Sequence, residues 1–391
     1  MFTLTSPTLG DGARCHSDTH SVRIAIVTES FLPNVNGVTN SILRILDHLA
    51  DGDHEAIVVA PGVGPERHGR FAVHRVASIG LPFYRDFNLA LPTPRLEAVL
   101  RDFAPDVVHL ASPFAFGAYA LRVARLLGIP TVAVFQTDVA GFVSQYGLEA
   151  AGDALWRWVG RLHSRADLTL APSSHSIDAL HRAGVERVEL WRRGVDATRY
   201  SPRHRDAALR ARLAPEGETI VGFVGRLAAE KCVEDLAVLG SLPRVRIVVV
   251  GDGPARRRLE RTLPTATFLG FRSGLELSQL YASLDLFVHT GPHETFCQAV
   301  QEALASGVPV IAPARGGPVD LVQPGVTGAL YEVGDLVSLR DLTAGLVASP
   351  RLRASMGAAA RASVIARTWR SVGVELERHW RRAADRVRVA A

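Results

Sequence analysis

Cysteine is scarce: Cys15, Cys232 and Cys297 are the only three in 391 residues, and none belongs to a CxxC pair. That excludes a disulfide framework and a thiolate zinc site, and makes a reducing cytoplasm the expected setting. Long apolar runs are missing as well. No stretch reaches the roughly 18 uninterrupted apolar residues of a bilayer-crossing helix, so any contact with a membrane is expected to be peripheral. An excess of one charge is also lacking. The 44 Lys plus Arg against 39 Asp plus Glu leave +5, too little to argue for nucleic acid, while a pI near 9.5 favours phosphate or anionic lipid. The chain has no Walker P-loop, no HExxH and no complete GxGxxG, since Gly251-Asp252-Gly253 lacks the third glycine. A standard kinase and a dehydrogenase are thereby set aside, no metal site is readable, and no cofactor is expected.

What is present is ample apolar material, 47% hydrophobic against 21% charged, in a chain long enough for two domains of roughly 150 to 200 residues each. Residues 1–21 hold no signal-like apolar run and read as a loose leader. From Val22, β-branched runs alternate with helical patterns, as expected of parallel strands joined by helical crossovers. The first half predicts strands at Val22–Thr28, Ala56–Ala60, Ala72–Val76, Val107–Leu110, Thr131–Phe135 and Leu168–Ala171. A polar stretch, Ser201 to Glu218, punctuated by Pro202, Pro215 and Gly217, is expected to link the halves. The rhythm then restarts, with strands at Ile220–Val224, Ile247–Val250, Thr267–Leu269, Leu284–Val288, Val308–Ala312 and Ala329–Tyr331, and helices such as Glu234–Leu239 and Phe296–Ser306. The reading is an α/β protein of two doubly wound, Rossmann-like domains, 22–200 and 219–368, facing across a cleft where ligands would lie beyond the strand ends. Over 369–391, Val372, Leu376, Trp380 and Ala383 form an apolar stripe opposite several arginines. This surface helix is open to two readings, contact with anionic lipid or packing across both domains.

Three constellations could carry chemistry. After the first strand, the loop Glu29 to Gly37 opens into a helix at Val38 whose free N–H groups would favour an anion, with Gly37 either permitting close approach of a phosphate or serving as a plain loop glycine. At the end of Ile220–Val224, Gly225, Arg226 and Lys231 place two cations beyond a strand end, suited to a diphosphate. The third is Glu294-Thr-Phe296-Cys297, with Glu302 eight residues after Glu294. If all eight were helical they would span about 12 Å, too far for both carboxylates to flank one glycosidic bond as in a hydrolase, so the two acids need different partners. A nucleotide sugar is long enough to use both, whereas Glu294 could also cap the helix and Glu302 could be structural. Cys297 reads either as a small packing residue or as a thiol activated at a helix start. His109 reads as a core histidine and His163 as a surface one.

These motifs, together with Gly194-Val-Asp196 and Phe135-Gln136-Thr137-Asp138, resemble the retaining glycosyltransferases of family 4, which have the GT-B fold. Within that family the run Ala25 to Val38 is similar to the actinobacterial α-mannosyltransferases that use GDP-mannose and act on glycolipids. The resemblance implies mannose transfer from GDP-mannose to a lipid-linked acceptor of the glucuronosyl diacylglycerol or phosphatidylinositol mannoside type. The setting it implies is peripheral, at the inner face of the cell membrane. It further implies that Arg226 and Lys231 hold the diphosphate, Glu294 the sugar hydroxyls and Glu302 the ribose. Backbone N–H groups near Phe296 and Cys297 would hold sugar or phosphate, and Leu269-Gly270-Phe271 would line the base. Many relatives have His where this chain has Gln136, and Gln cannot shuttle a proton at neutral pH. Gln136 is therefore assigned to positioning, with Asp138 a candidate acceptor-side base. Where this chain has Cys297, many relatives have Gly. Phe83 to Leu89 is a candidate interfacial loop, and the two domains are expected to close on the sugar donor. A UDP-sugar-dependent transferase, a nucleotide-sugar 2-epimerase and a catalytically silent nucleotide-binding scaffold are the alternatives.

Overall fold

The computed structural model describes residues 21–390 except 82–83, 91 and 138–148. Asp138, Phe83 and the leader 1–20 lie outside the described residues, as do the side chains of residues 84–89. The first domain is built on β1 (Arg23–Thr28), β2 (Glu55–Pro61), β3 (Arg67–His68), β4 (Phe71–Val76), β7 (Val107–Ala111), β8 (Thr131–Val134), β9 (Leu168–Ala171) and β10 (Val188–Leu190). They lie in the order β10-β9-β8-β7-β1-β2-β4-β3, parallel except for β3, with a separate antiparallel hairpin of β5 (Ser78–Leu81) and β6 (Tyr84–Ala90). The second sheet runs β13 (Thr267–Gly270), β12 (Val245–Val250), β11 (Thr219–Val224), β14 (Leu286–Val288), β15 (Val310–Pro313), β16 (Gly328–Tyr331), all parallel. Two doubly wound α/β sheets thus carry the fold, as the alternating pattern predicts.

Both faces of each sheet are covered, which is why the strands read as continuous apolar runs rather than alternating ones. On β1, Ile24 and Ile26 face Ile42, Leu46 and Leu49 of the helix Gly37–Ala50. Ala25 and Val27 face Leu96, Leu100, Phe116 and Ala120 on the other side. The second sheet is sandwiched in the same way. Segment 233–239 is a 3-10 helix rather than the α-helix expected, entered through Cys232 at φ 47 with no side-chain cap. Residues 201–218 hold the short helix Ala207–Leu213, and Leu213 and Ala214 join the core of the second sheet.

The chain crosses between the domains twice. After the helix Pro350–Val364 it returns to the first domain, where Val195 N–H donates to the Arg367 carbonyl at 2.9 Å. Gly194 makes this contact possible, because a Cβ there would stand 2.6 Å from Trp369 N. The helix Trp369–Ala390 then packs on the first sheet through Val372, Leu376, Trp380 and Ala383, all buried. Trp380 Nε1 donates to His109 Nδ1 at 3.2 Å, and Trp191 Nε1 to the Val372 carbonyl at 3.2 Å. His109 is thus a core histidine, and burial drives its pKa down to about 3. On the polar side Arg382 pairs with Glu189. Among the described residues no helix is long and apolar enough to cross a membrane.

Candidate active site

In each sheet the crossovers diverge from one central strand, β1 beside β7 and β11 beside β14. Ligands of doubly wound folds bind at such switch points. The loops beyond these strands face each other across a cleft of about 830 Å³, lined by Glu29, Gly37, Gln136 and Arg193 from the first domain and Arg226, Lys231, Glu294, Phe296 and Cys297 from the second.

On the first wall, Asn36 caps the helix Gly37–Ala50, its Oδ1 accepting from Val38 and Thr39 N–H at 3.0 Å each. Two of the N–H groups expected to be free for an anion, those of Val38 and Thr39, are therefore already taken by the cap. Gly37 instead faces a side chain: a Cβ there would lie 3.4 Å from Arg193 Nη1. Arg193 Nη2 donates to Gln136 Oε1 at 2.9 Å, and burial lowers the Arg193 pKa to about 10 against the opposing pull of Glu294. Glu29, only 4% exposed, accepts from Phe114 and Gly117 N–H at 2.8 and 2.9 Å through Oε1, capping the helix Ala115–Leu126. Burial raises its pKa. His163, expected at the surface, is buried and lines the cleft, with its pKa lowered to about 4. Its helix buries Val159, Leu162 and His163, spaced as one helical face, and that face was the overlooked signal. Glu29 and Arg193 carried no assigned role in the sequence reading. Glu29 could have been singled out from its place immediately beyond the central strand.

On the second wall, Gly225 and Arg226 follow β11, and Arg226 is exposed at the cleft. Lys231 closes a 3-10 turn and its ammonium binds Glu294 Oε1. His289 Nε2 stands 3.3 Å from the same oxygen, and its ring stacks on Phe223. Burial alone would raise the Glu294 pKa, but Lys231 and His289 outweigh it and hold the carboxylate below its ordinary range. Burial would likewise lower the Lys231 pKa, and Glu294 more than reverses this. The loop 294–297 is clamped by Gly316-Gly317: Gly317 N–H donates to the Glu294 carbonyl at 2.7 Å, and a Cβ on Gly317 would come within 2.1 Å of the Phe296 carbonyl oxygen.

That clamp changes two expectations. The helix begins at Gln298, not Phe296, because Cys297 sits in the left-handed region at φ 74. Glu294 therefore lies on the preceding loop and Glu302 about one turn into the helix, so the two are not eight helical residues apart. Cys297 is buried, and burial together with Glu294 drives its thiol pKa well up, in keeping with the small packing residue rather than the activated thiol. His289, Glu294 and Cys297 bring ligand atoms within 4.8 Å of one another, the one such grouping among the described residues. Lys231 already occupies the Glu294 oxygen, so a cation there would have to displace it.

Glu302 does not line the cleft. Burial raises its pKa to about 7, opposed by the hydroxyls of Tyr281 and Tyr200 and by Arg199. Its carboxylate stands beside the hydroxyls of Tyr200 and Tyr281. Leu269, Gly270 and Phe271 end β13 outside the cleft lining, Phe271 being 72% exposed. The domains also touch at the rim. Thr295 Oγ1 donates to the Gln136 carbonyl at 2.9 Å, and Asp320 accepts from Ser174 N–H at 2.7 Å.

Two doubly wound sheets thus face each other across the cleft, with Arg226, Lys231 and the clamped Glu294 gathered at the switch point of the second. Residues 35–199 match Glycosyltransferase Family 4 and residues 205–363 match Glycosyl transferases group 1. The chain is 53% identical to a GDP-mannose-dependent α-mannosyltransferase of Mycolicibacterium smegmatis, covering 92% of this chain and 97% of that protein. It is 51% identical to the protein of the same name from Mycobacterium tuberculosis, covering 92% and 96%. Among solved structures, Anabaena Alr3699/HepE in complex with UDP superposes with a TM-score of 0.73 at 21% identity, covering 92% of this chain and 99% of that one. The chain belongs to glycosyltransferase family 4.

Proposed function

We propose that the chain transfers mannose from GDP-mannose to a glycolipid acceptor with retention at the anomeric carbon. The observation that carries this reading is the Lys231–Glu294 pair beside Arg226 at the switch point of the second sheet. Mannose and GDP follow from relatives at 53% and 51% identity. The glycolipid acceptor is supported by a 27% identical phosphatidylinositol dimannoside mannosyltransferase of Mycobacterium tuberculosis.

In this reading the diphosphate takes Arg226 and Lys231, whose charges stabilise the leaving group as the sugar–phosphate bond breaks. Lys231 then shares its ammonium between phosphate and Glu294, and Glu294 orients the sugar hydroxyls beside the anomeric carbon. Leu269-Gly270-Phe271 takes the base. Catalysis requires no enzyme nucleophile, because the departing phosphate accepts the acceptor proton on the same face. Gln136 positions rather than titrates.

The test is transfer from GDP-mannose, UDP-glucose and UDP-glucuronate to short-chain glycolipids, alongside thermal shifts with the free nucleotides. Transfer confined to GDP-mannose, with stabilisation by GDP lost in Arg226→Ala, is the expected result. Turnover of UDP-sugars alone would discard mannose, and epimerised donor without acceptor would discard transfer. Peripheral membrane contact is a further part of the proposal, tested by pelleting with anionic and neutral vesicles. Equal recovery in both supernatants would refute its electrostatic form.

A further inference from the structure

We infer that Glu29 Oε2 and Gln136 Nε2 form the hydroxyl-binding subsite for the acceptor sugar, with Arg193 as the residue that positions Gln136. The inference rests on the glycosyltransferase reading and assigns a part of the cleft that the donor-binding residues leave unused. Glu29 and Gln136 are 4% and 7% exposed, and both line the cleft. Each has one polar atom engaged and the other without a partner among the described residues. Glu29 Oε1 is fixed by the N–H groups of Phe114 and Gly117, leaving Oε2 unpaired. Gln136 Oε1 is fixed by Arg193, leaving Nε2 unpaired. The amide orientation follows from chemistry, since a guanidinium only donates and can face only the carbonyl oxygen.

Native interiors seldom leave buried polar atoms uncompensated, and these two belong to residues lining the cleft, where a ligand can complete them. The two here are complementary: one accepts and one donates. A sugar hydroxyl does both, so the hydroxyls of one sugar can satisfy the two atoms without any charged group. The place is also specific. Both residues follow central strands of the first sheet, β1 and β8, whereas Arg226, Lys231 and Glu294 all belong to the second domain. A sugar bound here therefore faces the donor site across the cleft, as an acceptor must.

The experiment compares wild type, Glu29→Gln, Gln136→Glu and the double exchange in transfer from GDP-mannose to a short-chain glucuronosyl diacylglycerol in detergent. Glu29→Gln keeps a carbonyl oxygen for the Phe114 and Gly117 N–H groups but replaces the unpaired acceptor with a donor. Each single variant is expected to raise the acceptor KM about tenfold, the loss of one hydrogen bond, while the KM for GDP-mannose moves less than about twofold. The double exchange restores one donor and one acceptor and should recover much of the acceptor KM. Singles with wild-type acceptor KM would overturn the subsite, as would a parallel rise in both KM values with a lowered Tm, which is the mark of a packing defect alone. Absence of transfer by the wild type from any nucleotide sugar would overturn the glycosyltransferase reading itself, and this subsite with it.

Discussion

Glu302→Gln is expected to stabilise the protein at neutral and alkaline pH. Folded Glu302 keeps its proton to about pH 7, because burial disfavours the carboxylate, whereas an ordinary Glu releases it near 4.5. Between those values the native state binds more protons than the unfolded chain, so the contribution of Glu302 to stability falls as pH rises. At about 1.4 kcal/mol per pKa unit, the penalty above pH 7 is about 3 kcal/mol. Gln has the same shape and no charge to desolvate, so it removes the penalty. The assay is thermal unfolding of wild type and variant from pH 5 to pH 9, read as a difference so that other titrating groups cancel. The gap should be smallest at pH 5, about 1 kcal/mol, and widen until the variant is several degrees more stable at pH 8, at roughly 2–4 °C per kcal/mol for a domain of this size. Parallel curves, or a variant less stable at every pH, would refute a buried, proton-holding Glu302. A gap that closes on adding GDP would show instead that the carboxylate is used by the nucleotide.

Arg226→Ala should lower kcat/KM roughly 10²- to 10³-fold, the loss seen when one stabilising group is removed from a developing anion; initial rates at varied GDP-mannose would check it, and a loss under tenfold would move the diphosphate elsewhere. Cys297 should resist maleimide in the native protein at pH 7.5 and react only on unfolding, because its thiol is 4% exposed with a raised pKa; mass mapping of labelled peptides decides. Trp380→Ala should cost about 3–5 kcal/mol, measured by urea unfolding, whereas Trp380→Phe should cost far less, since it gives up chiefly the His109 hydrogen bond.

The sheets were readable because a doubly wound fold writes each buried strand as an apolar run and each crossover as a helical period. The two-residue β3 was too brief to read, and the β5–β6 hairpin escaped because Phe83 to Leu89 was taken for an interfacial loop. The second-domain wall of the cleft was legible in Arg226, Lys231 and Glu294, residue types whose chemistry is plain in sequence. Its geometry was not, because the helix start depends on Cys297 adopting φ 74 under a clamp supplied by Gly316 and Gly317, some twenty residues away. The acceptor side was largely hidden. Glu29, Gln136 and Arg193 are brought together by tertiary packing from three separate segments, and no local spacing marks that meeting. His163 was misplaced because its charged neighbours Arg161 and Arg165 were weighed above the helical face it shares with Val159 and Leu162.

The returning helix sets an order of events during biosynthesis. The first sheet has residues 23–190 in hand early, yet one face of it lacks Val372, Leu376 and Trp380 until everything through the second domain has been made. A nascent chain stopped before residue 369 would therefore show water an apolar face where Trp191 and the β7–β8 surface await their cover. Excised alone, the amino-terminal half would leave this part of its core uncovered, because that core is completed last, by residues made after the domain it faces.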